Sequence, residues 1–391
     1  MRHDRYPVYM ALFLIAYYVT NCMYQSYMSL YYTSIQFNSA QIGMINAVVA
    51  LVSLATQPFW GTMGDRVKNR NALIALLALA SGAAVFCFRF FPQFMPLIVL
   101  AGVFSCFYTA IQPMGDSVIL QRLEEQRRPF GPLRLSACIA FAVAGVIFGR
   151  LLDGEGREKQ IPLYTAVLCL VIALSTLSLP RTAGGQSAKE GKRMSFGELL
   201  KRKDLMLLLA FMAPVQITMG YFYTFFSPHF VSLEGGSSSL LGTCYLISAC
   251  SEAPFLILSD RLFDRYGAGK LMCISAAGLT IRWLMLALGQ SIPIVMLSQI
   301  FHGWGFIIMT VCMAKYISLT VPTELQASGQ MLLAVVSFGI ARVVGNLGGG
   351  LLADAIGRQN VFFITAGICL LTLCIFAPYY LRRKPLNGRD N

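Results

Sequence analysis

Ser39 to Arg70 reads SAQIGMINAVVALVSLATQPFWGTMGDRVKNR. No charged residue occurs from Ser39 to Gly64, and then Asp65, Arg66, Lys68 and Arg70 crowd into a single turn. About 20 apolar residues in an α-helix cross the hydrocarbon core of a bilayer. An apolar run of that length that stops at a basic cluster is a membrane span with one end held at a positively attractive surface.

The same pattern recurs outward in both directions. Apolar runs long enough to cross lie near 8–33, 41–62, 72–90, 95–115, 133–152, 161–180, 204–231, 240–260, 270–289, 293–318, 327–352 and 361–381. Of 391 residues, 56% are hydrophobic and 13% charged, against roughly 25% charged in soluble domains. Mean hydropathy is +0.63. The expected fold is therefore an all-α membrane protein of twelve spans. Met1-Arg2-His3-Asp4-Arg5 resembles the start of a signal peptide, but the apolar run after it is too long and lacks a small-residue cleavage site, so it reads as an uncleaved first helix.

A net charge of +13 raises the question of a nucleic-acid partner, and the placement of the basic residues answers it. With the N-terminus inside, about 23 of the 31 Lys and Arg fall in cytoplasmic segments, about 5 in external ones and 3 within spans. That asymmetry expresses membrane orientation, with both termini in the cytoplasm. Eleven cysteines are scattered without a CxxC pair and read as small core residues. Three histidines at no metal-ligand spacing leave no basis for a metal site, a cofactor or a membrane hydrolase.

The longest connection, 181–203, is rich in Gly, Ser and Lys and reads as a flexible cytoplasmic linker between residues 1–180 and 204–391. The two halves echo each other. GTMGDRVKNR (Gly61 to Arg70) follows span two, and LSDRLFDRYGAGK (Leu258 to Lys270) follows span eight. GRLLDGEGR (Gly149 to Arg157) follows span five, and GGLLADAIGR (Gly349 to Arg358) follows span eleven. Two echoes at a similar offset imply repeated six-span bundles, the design a rocking, alternating-access transporter needs. Asp65-Arg66 and Asp260-Arg261 are then gating candidates, since a carboxylate at a helix end can hold a neighbouring helix end at the inner surface. Simple topological anchoring is the plainer reading.

Ionisable groups deep in a span cost at least about 2.5 kcal/mol each and are functional candidates by default. The acidic ones are Asp116 at the end of span four and Glu252 in span eight; the basic ones are Arg134, Arg282 and Arg342, with His302 in span ten. Asp116 and Arg134 lie on consecutive spans and are expected to pair. Glu252, Arg282 and His302 are expected to converge, while Arg342 has no evident partner and reads as structural. Ion pairs that only fix helix register are the alternative for all of them. Phe141 follows Arg134 by two helical turns on the same face.

These residues carry a resemblance. G-x-x-x-D-R-x-x-x-R between spans two and three is similar to the signature of the major facilitator superfamily. ALFLIAYYV (Ala11 to Val19), Ser39 to Gly61, FGPLRLSAC (Phe130 to Cys138), FHGWGF (Phe301 to Phe306) and AKYI (Ala314 to Ile317) resemble the lactose-permease branch, with its phenylpropionate-permease-like and nucleoside-symporter relatives. The resemblance implies that Asp116 orders the substrate site, Arg134 binds substrate hydroxyls, Cys138 lies beside them, and Phe141 takes the place of a tryptophan stacked on the sugar ring. It implies that Glu252 links recognition to proton transfer, and that Arg282 and His302 complete the proton-coupling cluster. Three positions depart from it: Gly305 replaces the proton-carrying carboxylate, Gln299 a lysine, and Tyr223 a span-seven aspartate. Glu252 is then the first choice as proton carrier and Asp116 the second; with neither titrating the protein is a facilitator.

An Arg–carboxylate pair under an aromatic ring suits a polyhydroxylated ring, so a sugar, oligosaccharide or nucleoside moved by proton symport is the leading expectation. An aromatic acid held by Arg134 or Arg282, proton-coupled drug or metabolite efflux, and a non-transporting sensor follow in that order. The expected partners are the small-molecule solute, protons and membrane lipid, without nucleic acid. The chain is expected to work as a monomer in a bacterial-type cytoplasmic membrane.

Overall fold

Without water to satisfy backbone N–H and C=O groups, a chain in hydrocarbon must bond them within itself, and helices do so segment by segment. A computed structural model of the protein describes residues 7–180, 196–383 and 386, and these are almost wholly helical. The basic N-terminus and most of the 181–203 linker lie outside the described residues.

Ten helices among the described residues are long and apolar enough to cross a membrane. The longest, Ser238–Leu288, is two spans: Gly267 has φ 69° and ψ 168°, a conformation open to glycine, and the chain bends there. A further span at 8–34 escapes a simple length criterion because a π-helical turn, Met23–Tyr27, divides it. The twelve spans are α1 (8–34), α2 (Ser39–Arg66), α3 (Arg70–Phe86), α4 (Phe94–Glu125), α5 (Gly131–Leu151), α6 (Ile161–Ser175), α7 (Lys203–Ser232), α8 (238–266), α9 (268–288), α10 (Ile292–Thr320), α11 (Ser328–Ile356) and α12 (Arg358–Arg382).

Local chemistry sets the ends. After the charged turn that closes α2, the side chain of Asn69 accepts the Ala72 N–H at 3.1 Å and starts α3. Ser237 starts α8 in the same way, through the Leu240 N–H at 3.2 Å. The boundary that departs most from expectation is the end of span four. Span four was predicted to end at residue 115, but α4 runs to Glu125, carried past the hydrocarbon by a polar turn in which Arg122 and Glu125 pair at 2.9 Å. Asp116 therefore sits inside a continuous helix, three residues beyond Pro113, and not at a helix end.

The chain falls into two compact units, Met1–Phe37 with Met44–Glu190, and Asn38–Gly43 with Gly191–Asn391. Their packing repeats. In the first, α1 packs on α5, where the Tyr27 hydroxyl donates to the Gly145 carbonyl at 2.6 Å, and α3 packs on α4 and α6. In the second, α7 packs on α11, where Thr224 donates to the Asn346 side chain at 2.9 Å. There α9 packs on α12, with the Gln359 amide donating to the Ala287 carbonyl at 2.9 Å, and on α10, with the Trp304 indole donating to the Ile274 carbonyl at 2.8 Å. Adding six to each helix number of the first set reproduces the second, the arrangement expected of a repeated six-helix bundle.

Candidate functional site

Each unit carries one polar cluster. In the first, α4 and α5 present Asp116 and Arg134, whose Oδ2 and Nη1 lie 3.6 Å apart. The pair is only partly enclosed, with the arginine side chain 40% exposed and the aspartate 22%. Tyr18 of α1 covers it, its ring 4.9 Å from the Arg134 guanidinium carbon, and the Gln112 amide donates to the Tyr18 hydroxyl at 3.2 Å. Asp116 Oδ1 is buried without a hydrogen-bond partner, an acceptor held in reserve. Cys138, one turn beyond Arg134, and Phe141, two turns beyond, are half-buried. The aromatic group seated on the guanidinium is thus Tyr18. Gln112 was not anticipated at all.

At the Asp65 end of α2 in the same unit, a cavity of about 240 Å³ is lined by Gln57, Asp65, Arg70, Met114 and Ser117. Arg70 donates to Asp65 at 3.0 Å and to the Gly64 carbonyl at 3.0 Å, so the Asp65 carboxylate is engaged within its own motif. The equivalent Asp260 pairs instead with Lys315 of α10 at 2.7 Å, and Lys315 also reaches Asp264 at 3.7 Å. Arg66 and Arg261 are both exposed.

The second cluster is a connected network. Arg282 of α9 is fully buried, its guanidinium 4.0 Å from the centre of the Phe222 ring. It donates through Nη2 to Gln299 Oε1 at 2.7 Å and through Nη1 to His302 Nδ1 at 2.8 Å. Gln299 Oε1 also accepts from Ser248 at 3.0 Å. On the far side of the imidazole, His302 Nε2 lies 3.2 Å from Glu252 Oε1. These contacts assign the tautomer: a guanidinium only donates, so Nδ1 accepts, and the ring proton resides on Nε2 and points at Glu252. A neutral imidazole thus separates one buried cation from one carboxylate.

Two glycines shape this network. Gly303 brings the α10 backbone against α8: a Cβ there would fall 2.1 Å from the Ser251 carbonyl oxygen and 2.7 Å from Glu252 Cα. Ser251 Oγ accepts the Gly303 N–H at 2.9 Å, and a π-helical turn, Gly303–Ile307, follows His302. Gly305, where the resemblance would have a carboxylate, has no room for one: an added Cβ would lie 2.3 Å from Leu279 Cγ. The Ser275 hydroxyl donates to its carbonyl.

Tyr223, read as a missing aspartate, stands edge-on to His302 with ring centres 6.2 Å apart, and its face receives the Arg342 guanidinium at 4.3 Å. Arg342 therefore faces the interior of the second unit, beside the network it was read as unrelated to. Gln299, noted only as a lost lysine, anchors Arg282.

Comparison with known proteins agrees with this architecture. The maltose permease of Geobacillus stearothermophilus is 27% identical over 361 residues, 91% of this chain and 89% of the relative. Nucleoside permease NupG of Escherichia coli (strain K12) is 21% identical over 387 residues, 91% of this chain and 92% of the relative. The crystal structure of nucleoside transporter NupG superimposes with a TM-score of 0.84 at 17% identity, covering 97% of this chain and 99% of that one. The model of the MFS_1 like family matches residues 8–364, and the chain belongs to that family: it is a multi-pass membrane protein of the major facilitator fold, a secondary transporter of small polar solutes and not an enzyme.

Proposed function

We propose that the protein is a proton symporter for a polyhydroxylated solute, a sugar, oligosaccharide or nucleoside, working by alternating access in a bacterial-type cytoplasmic membrane. Asp116, Arg134, Cys138 and Phe141 hold the solute, and Glu252 links its binding to the proton. The maltose and nucleoside permeases among the relatives support this solute class. Residues 1–180 and 204–391 are the moving halves, joined by 181–203. Asp65-Arg66 and Asp260-Arg261 gate them on the cytoplasmic side, where both termini lie, and the chain acts as a monomer.

One observation carries the proton assignment. Exposure falls along the network from Glu252 (28%) to His302 (8%) to Arg282 (0%), so the carboxylate is the end that reaches water and the cation is the sealed end. A proton arriving at Glu252 cancels its charge and weakens it as the acceptor of the His302 N–H. That change propagates through the imidazole to Arg282, which is the coupling a symporter requires. Gly305 leaves no competing carboxylate at that turn.

The experiment is uptake of maltose and uridine into proteoliposomes with an imposed proton gradient, and with the external pH recorded. Wild type accumulates one of the solutes and alkalinises the medium. Glu252→Gln keeps solute exchange but loses accumulation, and Arg134→Ala loses both. Accumulation against a gradient by Glu252→Gln would remove Glu252 from the proton path.

A further inference from the structure

Arg342 is the charge that this scheme leaves unused. It lies midway along α11, just after a π-helical turn, Val335–Ile340, that turns the helix face. Close packing aims it inward: a Cβ at Gly220 of α7 would stand 3.3 Å from Arg342 Cα, and the Tyr223 ring lies flat against the guanidinium at 4.3 Å. Among the described residues no carboxylate comes within salt-bridge distance of it, and the residue is part-buried. The other guanidiniums within spans are committed, Arg134 to Asp116 and Arg282 to His302 and Gln299.

A part-buried guanidinium at membrane depth, with one flat side on a ring and no carboxylate partner, is a fork for a planar anion. The charge balance agrees. With His302 neutral, the deep interior of the second unit holds, among the described residues, one carboxylate, Glu252, against two guanidiniums, Arg282 and Arg342. One monoanion closes the difference.

We propose that Arg342, backed by Tyr223, binds a carboxylate of the transported solute, so that the preferred substrate is an acidic member of the polyhydroxylated class. This rests on the symport reading above and deepens it. When Glu252 takes a proton the positive surplus grows by one, which strengthens the hold on the anion; by reciprocity the bound anion favours the proton. Solute carboxylate and proton then enter as a neutral sum. A phosphate ester, with a charge of about −1.5 to −2, is not neutralised by one proton and is the wrong anion for this stoichiometry.

The test uses purified full-length protein in detergent and thermal-shift titrations with glucose, glucuronate and glucose 6-phosphate, and with uridine and orotidine. Wild type binds the carboxylate member of a pair about ten- to a hundredfold more tightly than the neutral one, the worth of a charge-assisted contact. Arg342→Gln brings the two members level, and Arg342→Lys, which keeps the charge and loses the fork, falls between them. Ligand-free melting curves of both variants report whether each is folded. The proposal is overturned if Arg342→Gln keeps the carboxylate preference, if neutral members or the phosphate ester bind wild type as well as the carboxylates do, or if no carboxylate stabilises wild type. Arg134→Ala separates the two readings. Loss of every ligand in that variant supports the polyhydroxyl site, whereas carboxylate binding that survives Arg134→Ala and fails in Arg342→Gln sinks that site and leaves the anion fork standing.

Discussion

The two units share a packing plan and hold their charges in opposite ways. In the first, Asp116 and Arg134 meet at 3.6 Å, both partly exposed, with one ring over the cation. In the second, three side chains, His302, Arg282 and Gln299, connect Glu252 to Ser248, and the cation is sealed. A loose pair can open its hydrogen-bonding capacity to a solute and close again, because each partner already sees water. A sealed network cannot exchange partners cheaply; it can only pass a change at its open end toward its buried end. The contrast supports the proposal that the first unit binds the solute hydroxyls and the second couples binding to the proton.

Deleting the sealed cation is the severest way to break that contrast. Arg282→Met leaves Gln299 and His302 Nδ1 without their shared donor and Glu252 without its counter-charge. Removing one member of a buried charged network costs about 3–5 kcal/mol. Thermal unfolding in detergent should show a large drop, and uptake should be lost at every pH. A variant that melts like wild type would mean that Arg282 is not buried as described.

Gly303 comes next, because it decides whether the network can form. Gly303→Ala puts a methyl 2.1 Å from a backbone oxygen, and α8 and α10 must separate to accept it. Overpacking of this kind costs about 1–3 kcal/mol, and here it also lengthens the 3.2 Å contact between His302 and Glu252. The expected phenotype is partial uncoupling, with less solute accumulated per unit of proton gradient than in wild type, in a protein that still inserts. Accumulation equal to wild type would show that the two helices tolerate the wider spacing.

How much of this the sequence discloses follows from what a charge does in a membrane. The twelve spans are legible because hydrocarbon demands length and apolarity. Asp116, Arg134, Glu252, Arg282 and His302 are legible because each is too costly at depth to be idle. Gln299 is not, since an amide brings no charge penalty and looks like a simple loss of the expected lysine. Gly303 is not, since close approach of two helices is a property of the packed pair. Tyr223 and Arg342 are invisible as partners because a cation over a ring leaves no complementary charge to search for. The continuation of α4 past residue 115 is missed for a related reason: Ser117 to Glu125 buries Val118, Ile119 and Leu123 but carries polar and charged residues on its other face, so its mean hydropathy falls although the helix goes on.

The smallest effect on stability, and the sharpest on function, belongs to the first unit. Asp116→Asn is nearly isosteric and removes only the charge opposite Arg134. Because Arg134 is 40% exposed at a distance of 3.6 Å, solvent already shares the stabilisation of the guanidinium, and the lost pair is worth about 1 kcal/mol or less. The melting temperature should therefore stay close to that of wild type. Binding should not. In the proposed binding role, opening of the pair offers the buried, unpartnered Oδ1 to a solute hydroxyl, and an amide in its place turns a charged acceptor into a neutral one or presents a donor. The loss of a charge-assisted hydrogen bond corresponds to about ten- to a hundredfold in affinity. Thermal-shift titration separates the two quantities in one experiment, through the ligand-free midpoint and its dependence on solute concentration. A large fall in the ligand-free midpoint with unchanged affinity would make Asp116–Arg134 the structural brace and return the search for recognition to the second unit.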